Sequence, residues 1–291
     1  MIRKQILANA KKTDNFLKHY FKKQIKTNLI TPMQYGALSG GKKIRTSIIL
    51  NTGKLFNIPA KKLLNVCGAV ESIHSYSLIH DDLPCMDNDK TRRGKPSTHI
   101  KFGESTAVLA GNSLLTLAFE MIVEKKFPVD HKIKIELISK LAKCSGHSGI
   151  AGGQELDLSF EKKNKKLNQI IDMQKKKTGK LFNFCCLSVG IIAKKDNKTK
   201  NELSVLGEEI GLLFQLADDF LDITSTKKIA GKPIKKDKKK GKSTLISLIG
   251  YEKANIFANK LKSNILNKLS KRGNKAKDLI RTVEFILERN H

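Results

Sequence analysis

Residues 80–99 read His-Asp-Asp-Leu-Pro-Cys-Met-Asp-Asn-Asp-Lys-Thr-Arg-Arg-Gly-Lys-Pro-Ser-Thr-His, directly after an apolar helical run over 63–79. Three aspartates stand out in this stretch: Asp81, Asp82 and Asp87. Arg92 and Arg93 follow within a few residues. Acids and bases at this spacing either neutralise each other on a surface or hold a polyanion through metal ions.

A second acidic cluster lies in the apolar stretch Leu-Phe-Gln-Leu-Ala-Asp-Asp-Phe-Leu-Asp at 213–222. Helical spacing puts Asp218 and Asp222 on one face, one turn apart, with Asp219 beside them. Because unpaired carboxylates are costly to bury, a cation is expected there. Oxygen ligands without His or Cys suit Mg²⁺, which keeps waters and binds substrate phosphates. Together the clusters predict two acidic walls facing each other across a cavity, bridged by Mg²⁺ and phosphate. For a single cluster, a solvated helix end is the alternative.

The charge of the chain does not indicate a nucleic-acid-binding protein. Lys and Arg total 56 against 27 Asp and Glu, a formal net charge of +29, but only seven of the cations are Arg and the lysines are spread over the whole chain. There are four Tyr and no Trp, and basic residues do not alternate with aromatic ones as they do where bases are stacked. We therefore expect no nucleic-acid partner.

Cysteine usage and hydropathy favour a cytoplasmic protein. The five cysteines show no metal-ligand spacing, their number is odd, and the N-terminus lacks an apolar signal core, all of which favours reduced thiols. The longest apolar stretch, about 181–193, is too short to span a bilayer. We expect no stable membrane insertion.

Apolar residues recur at intervals of three and four, and strand signals are nearly absent, which predicts an all-α fold. No repeat or linker is visible, so residues 1–291 are interpreted as one domain. Pro84 should end or kink the helix before it, which would let Asp87 turn back towards Asp81. The interruption at 177–179 predicts a kink that frees a carbonyl and a hydroxyl.

Two cationic segments call for an anionic partner. Lys42 and Arg45 follow the flexible pair Gly40-Gly41 and begin a helix, where cations oppose the helix dipole. A merely basic loop is the alternative there. The segment 227–242 is strongly cationic and is predicted to be a mobile loop. It is either a lid that closes over phosphates or a solvated loop.

Several motifs, taken jointly and in order, resemble those of the trans-isoprenyl diphosphate synthases, most closely the bacterial farnesyl diphosphate synthases. The motifs are Gly-Gly-Lys-x-x-Arg at 40–45, Asp-Asp-Leu-Pro-x-Met-Asp at 81–87, Arg-Arg-Gly at 92–94, Gly-Gly-Gln at 152–154, Lys-Thr-Gly at 177–179, Phe-Gln-x-x-Asp-Asp-x-x-Asp at 214–222 and Gly-Lys-Ser-Thr at 241–244. The resemblance extends from about residue 33 to the C-terminus.

The resemblance implies an isoprenoid synthase-type helical bundle around a central cavity, usually a homodimer. It implies Mg²⁺-dependent condensation of isopentenyl diphosphate with dimethylallyl and then geranyl diphosphate. Two or three Mg²⁺ ions would be held directly by Asp81, Asp87 and Asp218. Asp82 and Asp222 would either be ligands as well or support the ligands from behind. Isopentenyl diphosphate would be held by Lys42, Arg45, His74 and Arg93, and the allylic diphosphate by Arg92, Lys177 and Lys232. Thr178 and Gln215, with the carbonyl of Lys177, would face the reacting carbon. A capped core histidine is the alternative for His74.

Product length depends on the floor of the prenyl pocket. One isoprene unit spans roughly one helical turn, ~5 Å, so Tyr76, five residues before Asp81, would form the floor of the pocket. The family resemblance implies that an aromatic at this place stops the chain at fifteen carbons, and that a small residue or Met goes with longer products. An ordinary core aromatic is the alternative for Tyr76. A geranylgeranyl or geranyl diphosphate synthase is the nearest rival function, and a non-catalytic interaction subunit of a prenyl synthase is the rival from another class. Two positions depart from the family pattern: Thr46 stands in place of a proline, and Lys90 in place of an acid.

Overall fold

The computed structural model describes residues 2–161, 163–230 and 244–288, and of residues 224–230 only the backbone. Its contacts divide the chain into two compact units, one made of 1–138 and 191–193 and the other of 139–190 and 194–291. In the described residues almost all regular structure is helical, as predicted.

Among its described residues, the first unit contains six helices in full, the start of a seventh, and one small hairpin. Its elements are α1 (Ile2–Lys22), α2 (Ile30–Ala37), α3 (Ile44–Leu55), a 3₁₀ turn (Ala60–Leu63), α4 (Leu64–Asp81), β1 (Thr91–Arg92), β2 (Lys95–Pro96), α5 (Thr98–Phe102), α6 (Glu104–Val123) and the first half of α7 (His131–Ser145).

The described part of the second unit is also built from helices. Beyond the end of α7 it comprises α8 (Ile150–Phe160), α9 (Leu167–Gln174), a π-helical segment (Lys175–Gly179), α10 (Lys180–Ile192), α11 (Asn197–Ala230), α12 (Leu245–Ile249), α13 (Tyr251–Ser270), a 3₁₀ turn (Gly273–Ala276) and α14 (Lys277–Glu288). Residues 191–193, at the end of α10, are grouped with the first unit.

Helix α4, which leads to the first acidic cluster, forms the centre of the first unit. It packs chiefly on α6, and its Val70 and Ile73 are fully buried. The two helices approach so closely that a Cβ on Gly111 would lie 2.1 Å from the His80 ring. Helix α6 also has the length and composition of a membrane span, but 44% of that window is buried in the protein. Core helices pass the same test.

In the second unit, α9, the π-helical segment and α10 form one continuous helix that packs on α8 and α11. A Cβ on Gly153 would lie 2.1 Å from the backbone nitrogen of Lys177, so only glycine allows α8 to approach the π-helical segment this closely. The interruption predicted at 177–179 is therefore a π-helical turn within a continuous helix. Such turns are frequent at functional sites.

Three expectations need correction. Residues 91–96 form a hairpin that the sequence analysis missed, with Arg93 and Gly94 at φ 53° and 74° in its turn. Residues 227–230, predicted as the start of a mobile loop, belong to α11, while 231–242 lie outside the described residues. The apolar spacing of three and four predicts one helix over about 244–270, but the structure has two there, because Gly250 at φ 82° breaks the run.

Candidate active site

The first acidic cluster folds back on itself after α4 ends at Asp81. Pro84 follows in a compact turn in which the Asp87 N–H donates to the Asp81 carbonyl at 2.9 Å. The Asn88 N–H donates to the Leu83 carbonyl at 3.0 Å, with Asn88 in the left-handed region at φ 51°. The predicted return of Asp87 towards Asp81 is confirmed, and it places the two backbones side by side.

Asp82 differs from its neighbours in being almost fully buried and paired with an arginine. Nε of Arg92 donates to both carboxylate oxygens, at 3.0 and 3.2 Å, and a terminal nitrogen of Arg92 also donates to Oδ1. Burial raises the pKa of Asp82, against the opposing effect of Arg92, while the Asp82 carboxylate raises the pKa of Arg92. The pair therefore fixes the Arg92 guanidinium.

Arg93 is held by the glycine-rich loop that precedes α3. Its guanidinium donates to the Ser39 hydroxyl at 3.1 Å and to the Gly40 carbonyl. A Cβ on Gly41 would lie 2.7 Å from the guanidinium carbon, so the absence of a side chain at Gly41 makes room for Arg93. The sequence analysis interpreted Gly40 and Gly41 only as a flexible break, whereas here they hold an arginine.

Beneath that loop lies Lys43, a buried lysine that the sequence analysis passed over. Its backbone is left-handed at φ 43°, and its ammonium donates to the Ala37 carbonyl at 3.1 Å. The same ammonium forms ion pairs with Asp14 at 3.4 Å and Glu71 at 3.7 Å. Thr46, one of the two departures from the family pattern, donates to Glu71 at 3.1 Å. Lys43 thereby ties α1, α2 and α4 to the start of α3, where Lys42 and Arg45 lie.

Replacing Lys43 by Met is expected to lower the free energy of unfolding by about 3–5 kcal/mol, because Glu71 would keep a buried charge without its cation. Denaturant unfolding of the purified variant measures the change. Lys42→Met is the matched control, since Lys42 is exposed and the same atoms are removed. Its unfolding free energy should stay within about 0.5 kcal/mol of wild type. Equal effects of the two substitutions would contradict the role of Lys43.

His74 lies on α4, one turn after Glu71, among the cations just described. Its pKa is held well below the usual value by burial and by the positive charges of Arg45, Arg93, Lys43 and Arg92. The four predicted isopentenyl diphosphate residues include Arg45, Arg93 and His74, and the structure brings these three into one electropositive region. An anion bound there would lower the electrostatic free energy.

The lowered pKa of His74 predicts a pH-dependent stability. Between the low folded-state pKa and the unfolded value of about 6.5, the unfolded chain binds a proton at His74 and the folded chain does not. The His74 contribution is therefore fully present above about pH 6.5 and is lost as the pH falls. His74→Gln should remove a penalty of about 1.4 kcal/mol for each pH unit below that value. Urea unfolding at pH 8 and 5.5 tests this, with the exposed His147 changed to Gln as the control.

Tyr76 is 8% exposed and packs its ring edge-to-face on His80, with the centroids 5.6 Å apart. Burial and the nearby Asp81 carboxylate both raise the pKa of its phenol. The Asp81 carboxylate therefore lies close enough to act on the Tyr76 phenol. This agrees with a tyrosine that precedes the first acidic cluster on α4. Its role as a pocket floor stays a prediction.

In the second unit, the π-helical segment carries two predicted site residues, and each forms an ion pair or a hydrogen bond with another side chain. The Lys177 ammonium forms an ion pair with Asp157 on α8. The Thr178 hydroxyl donates to Oε1 of Gln215 at 2.8 Å. Thr178 and Gln215, both predicted to face the reacting carbon, are therefore brought together.

Gln215 belongs to a larger network centred on Asp219. Nε2 of Gln215 donates to Oδ1 of Asp219 at 2.9 Å, and Nε2 of Gln174 donates to Oδ2 at 3.0 Å. Asp219 is 5% exposed. From the sequence, Asp219 was expected only as a neighbour of the predicted ligands, and no role was predicted for Gln174. The spacing of Gln215 and Asp219, one helical turn apart, is the signal that could have revealed their contact.

The predicted metal ligands form open sets of carboxylates. Asp218 is half-buried and Asp222 exposed on α11, and Asp81 and Asp87 are half-buried in the first unit. Among the described residues, no three His, Cys, Asp or Glu side chains converge into a closed metal centre. Oxygen-only, incomplete ligand sets fit Mg²⁺, which retains waters and takes up phosphate oxygens. Lys232, predicted to contact the allylic diphosphate, lies outside the described residues.

Comparison with known proteins agrees with these observations. Residues 26–283 match the family model described as polyprenyl synthetase. The chain is 40% identical to the farnesyl diphosphate synthase of Escherichia coli over 271 residues, 91% of this chain and 90% of that protein. It is 39% identical to geranylgeranyl pyrophosphate synthase 4 of Arabidopsis thaliana, covering 91% of this chain and 72% of that protein.

Solved structures show the same fold. The structure of an FPP/GFPP synthase from Zymomonas mobilis superposes with a TM-score of 0.87 at 35% identity, covering 98% of each chain. A geranyltransferase from Helicobacter pylori, crystallised with magnesium and isoprenyl diphosphate, gives a TM-score of 0.82 at 29% identity. It covers 99% of this chain and 96% of that one.

Proposed function

Because this chain belongs to the polyprenyl synthetase family, we propose that it is a farnesyl diphosphate synthase. It is a prenyltransferase that condenses isopentenyl diphosphate with dimethylallyl diphosphate and then with geranyl diphosphate. One observation in the first unit carries the proposal. The folded-back carboxylates of 81–87 belong to the same unit as an electropositive region that contains His74, Arg45 and Arg93. Carboxylates for Mg²⁺ and cations for a second diphosphate are what this reaction requires.

Asp81, Asp87, Asp218 and Asp222 are proposed to hold two or three Mg²⁺ ions, and Asp82, which accepts from Arg92, is proposed to lie behind them. When bound, Mg²⁺ neutralises the negative charge that builds on the diphosphate as the allylic carbon–oxygen bond ionises. Arg92, Lys177 and Lys232 are proposed to bind the same diphosphate. Arg92 is fixed for this by Asp82, and Lys177 by Asp157. Both cations are therefore held in place before substrate arrives.

The second diphosphate is proposed to bind at Lys42, Arg45, His74 and Arg93. Arg93 is oriented by Ser39 and Gly40, and the start of α3 is anchored by Lys43. The carbon–oxygen bond of isopentenyl diphosphate does not break in this reaction. Its diphosphate therefore needs cations that bind it rather than metal ions that stabilise a leaving group. Its double bond attacks the allylic carbon, and the proton lost in the last step passes to the released diphosphate.

The allylic cation needs weak dipoles beside it rather than nucleophiles that would capture it. The oxygens of Thr178 and Gln215, with the Lys177 carbonyl, are proposed to supply them. Thr178 is 7% exposed, which limits water at this point. Exclusion of water matters because water would convert the cation to an alcohol.

A homodimer in the cytoplasm is proposed as the working form. The outer face of α6 supports the dimer, because Val108, Leu109 and Val123 are 38%, 51% and 52% exposed. An apolar face of this kind is usual at an interface between copies. Light scattering should give twice the mass of the chain, and Leu109→Lys should shift it towards the monomer.

Product analysis tests the proposed function. Purified protein is incubated with Mg²⁺, isopentenyl diphosphate and dimethylallyl diphosphate, and the prenyl alcohols are sized after phosphatase treatment. Mainly farnesol is expected. Mainly geranylgeraniol or geraniol would identify the rival synthases with the same mechanism. The absence of any condensation would favour a non-catalytic interaction subunit of a prenyl synthase.

A further inference from the structure

We infer that Asp219 is a positioning residue: its carboxylate sets the direction of a hydrogen-bond chain through Gln215 to Thr178, so that the Thr178 oxygen presents lone pairs to the allylic cation. The inference rests on the proposed function, which places Thr178 and Gln215 beside that cation. It assigns to Asp219 a role different from that of the proposed metal ligands Asp218 and Asp222.

The Asp219 carboxylate fixes the orientation of the amides that face it. An ionised Asp accepts hydrogen bonds and donates none, so a side-chain amide that faces it must present its nitrogen. Asp219 faces two amides in this way, with Gln215 at 2.9 Å on Oδ1 and Gln174 at 3.0 Å on Oδ2. The orientation of the Gln215 amide is thereby fixed by chemistry.

The orientation of the Gln215 amide in turn fixes that of the Thr178 hydroxyl. With Nε2 of Gln215 turned towards Asp219, Oε1 lies on the other side of the amide, where it accepts from the Thr178 hydroxyl at 2.8 Å. The single hydroxyl hydrogen of Thr178 is then occupied. The remaining positions on its oxygen are lone pairs. A cation beside Thr178 meets negative rather than positive electrostatic potential.

The reverse orientation would be harmful. If the Gln215 amide turned over, its nitrogen would donate to Thr178, and the Thr178 hydrogen would be free to point at the developing cation. The geometry of heavy atoms would be almost unchanged, but the dipole would have the wrong sign. Preorganised dipoles of the right sign are usually a large part of catalysis.

Gln174 makes the inference testable. Its Oε1 is buried and has no hydrogen-bond partner among the described residues. In Asp219→Asn, one acceptor and one donor face two amide nitrogens, so either Gln174 or Gln215 must turn over. Molecules in which Gln215 turns over lose the correct dipole. In Gln174→Leu/Asp219→Asn the competing amide is gone, and the carbonyl oxygen of the introduced asparagine can accept from Gln215 as the carboxylate did.

The experiment compares wild type, Gln174→Leu, Asp219→Asn and the double variant in steady-state condensation. Asp219→Asn is expected to lower kcat about tenfold, with KM for both diphosphates and the Mg²⁺ midpoint within about twofold. Gln174→Leu should stay within about threefold of wild type. The double variant should recover kcat to near the Gln174→Leu value. A double variant as slow as Asp219→Asn would overturn the inference, since charge would then matter rather than direction. A tenfold shift of the Mg²⁺ midpoint in Asp219→Asn would also overturn it.

A binding measurement separates this inference from the proposed function. A prenyl chain ending in trimethylammonium and its neutral tert-butyl isostere are titrated calorimetrically with Mg²⁺ and inorganic pyrophosphate present. The wild-type protein should bind the ammonium compound at least tenfold more tightly than the neutral isostere. Asp219→Asn should lose most of this difference in affinity, and the double variant should regain it. Equal preferences in all variants would overturn the inference. Wild type without condensation activity would instead count against the proposed function.

Discussion

Replacing Asp81 by asparagine is expected to lower kcat about a thousandfold and to raise the Mg²⁺ concentration needed for half-maximal rate. Asp81 ends α4, and its carbonyl accepts from Asp87, so both carboxylates are supplied by one rigid turn. Loss of one charged ligand weakens the neutralisation of the leaving diphosphate. A single group aimed at such charge is typically worth about 10²–10³ in kcat.

The measurement is a Mg²⁺ titration of the initial rate with geranyl diphosphate and isopentenyl diphosphate at saturation. Asp89→Asn is the matched control, because Asp89 belongs to the same loop but is not among the proposed ligands. We expect it to stay within about threefold of wild type. The proposal for Asp81 fails if Asp81→Asn retains more than a tenth of the wild-type rate at the original Mg²⁺ midpoint.

The effects of Asp82→Asn on kcat and on the Mg²⁺ requirement should differ from those of Asp81→Asn, although the two residues are adjacent. The Asp82 carboxylate is 2% exposed and accepts three hydrogen bonds from Arg92. Sequence reasoning left open whether Asp82 is a metal ligand or supports the ligands, since residue type and motif position alone cannot show that one carboxylate of a pair points inwards. The Arg92 contact depends on the hairpin at 91–96, whose turn is formed by Arg93 and Gly94 without the usual Asn-Gly signal.

The helical architecture could be predicted because it follows from local patterns. Apolar spacing located most helices, Pro84 located the turn after α4, and Lys-Thr-Gly located the π-helical segment. Helix ends were less accurate where a single residue decided them. Gly250, in the left-handed region, separates α12 from α13, but that conformation cannot be predicted from a single glycine in an apolar run.

The tertiary partners of site residues could not be predicted from the sequence alone. Lys42 and Lys43 are chemically identical neighbours, yet one is exposed and the other lies 8% exposed between Asp14 and Glu71. The difference arises from where α1 and α4 place their carboxylates, which is a property of packing. Thr46, which stands in place of a proline of the family pattern, donates a hydrogen bond to Glu71 in the structure.

The product length should change when Tyr76 is replaced by a smaller residue. Tyr76→Ala is expected to shift the main product from fifteen carbons to twenty or more. The Cα of Tyr76 lies five residues, about 7.5 Å of helix, before that of Asp81. Because helical side chains lean towards the N-terminus, the ring lies deeper than this, in the path of a growing prenyl chain. Removing the ring opens space for a further unit of roughly 5 Å.

The Tyr76 experiment needs further variants, because Tyr76 is 8% exposed and truncation of a buried aromatic costs about 3–5 kcal/mol of stability. Tyr76→Met keeps much of the packing volume and should also give longer products. Tyr76→Phe keeps the ring and should still stop at fifteen carbons. Chromatography of the dephosphorylated products measures all three variants. Farnesol as the sole product of folded Tyr76→Ala and Tyr76→Met would show that Tyr76 is a core aromatic, and that the pocket ends against other residues.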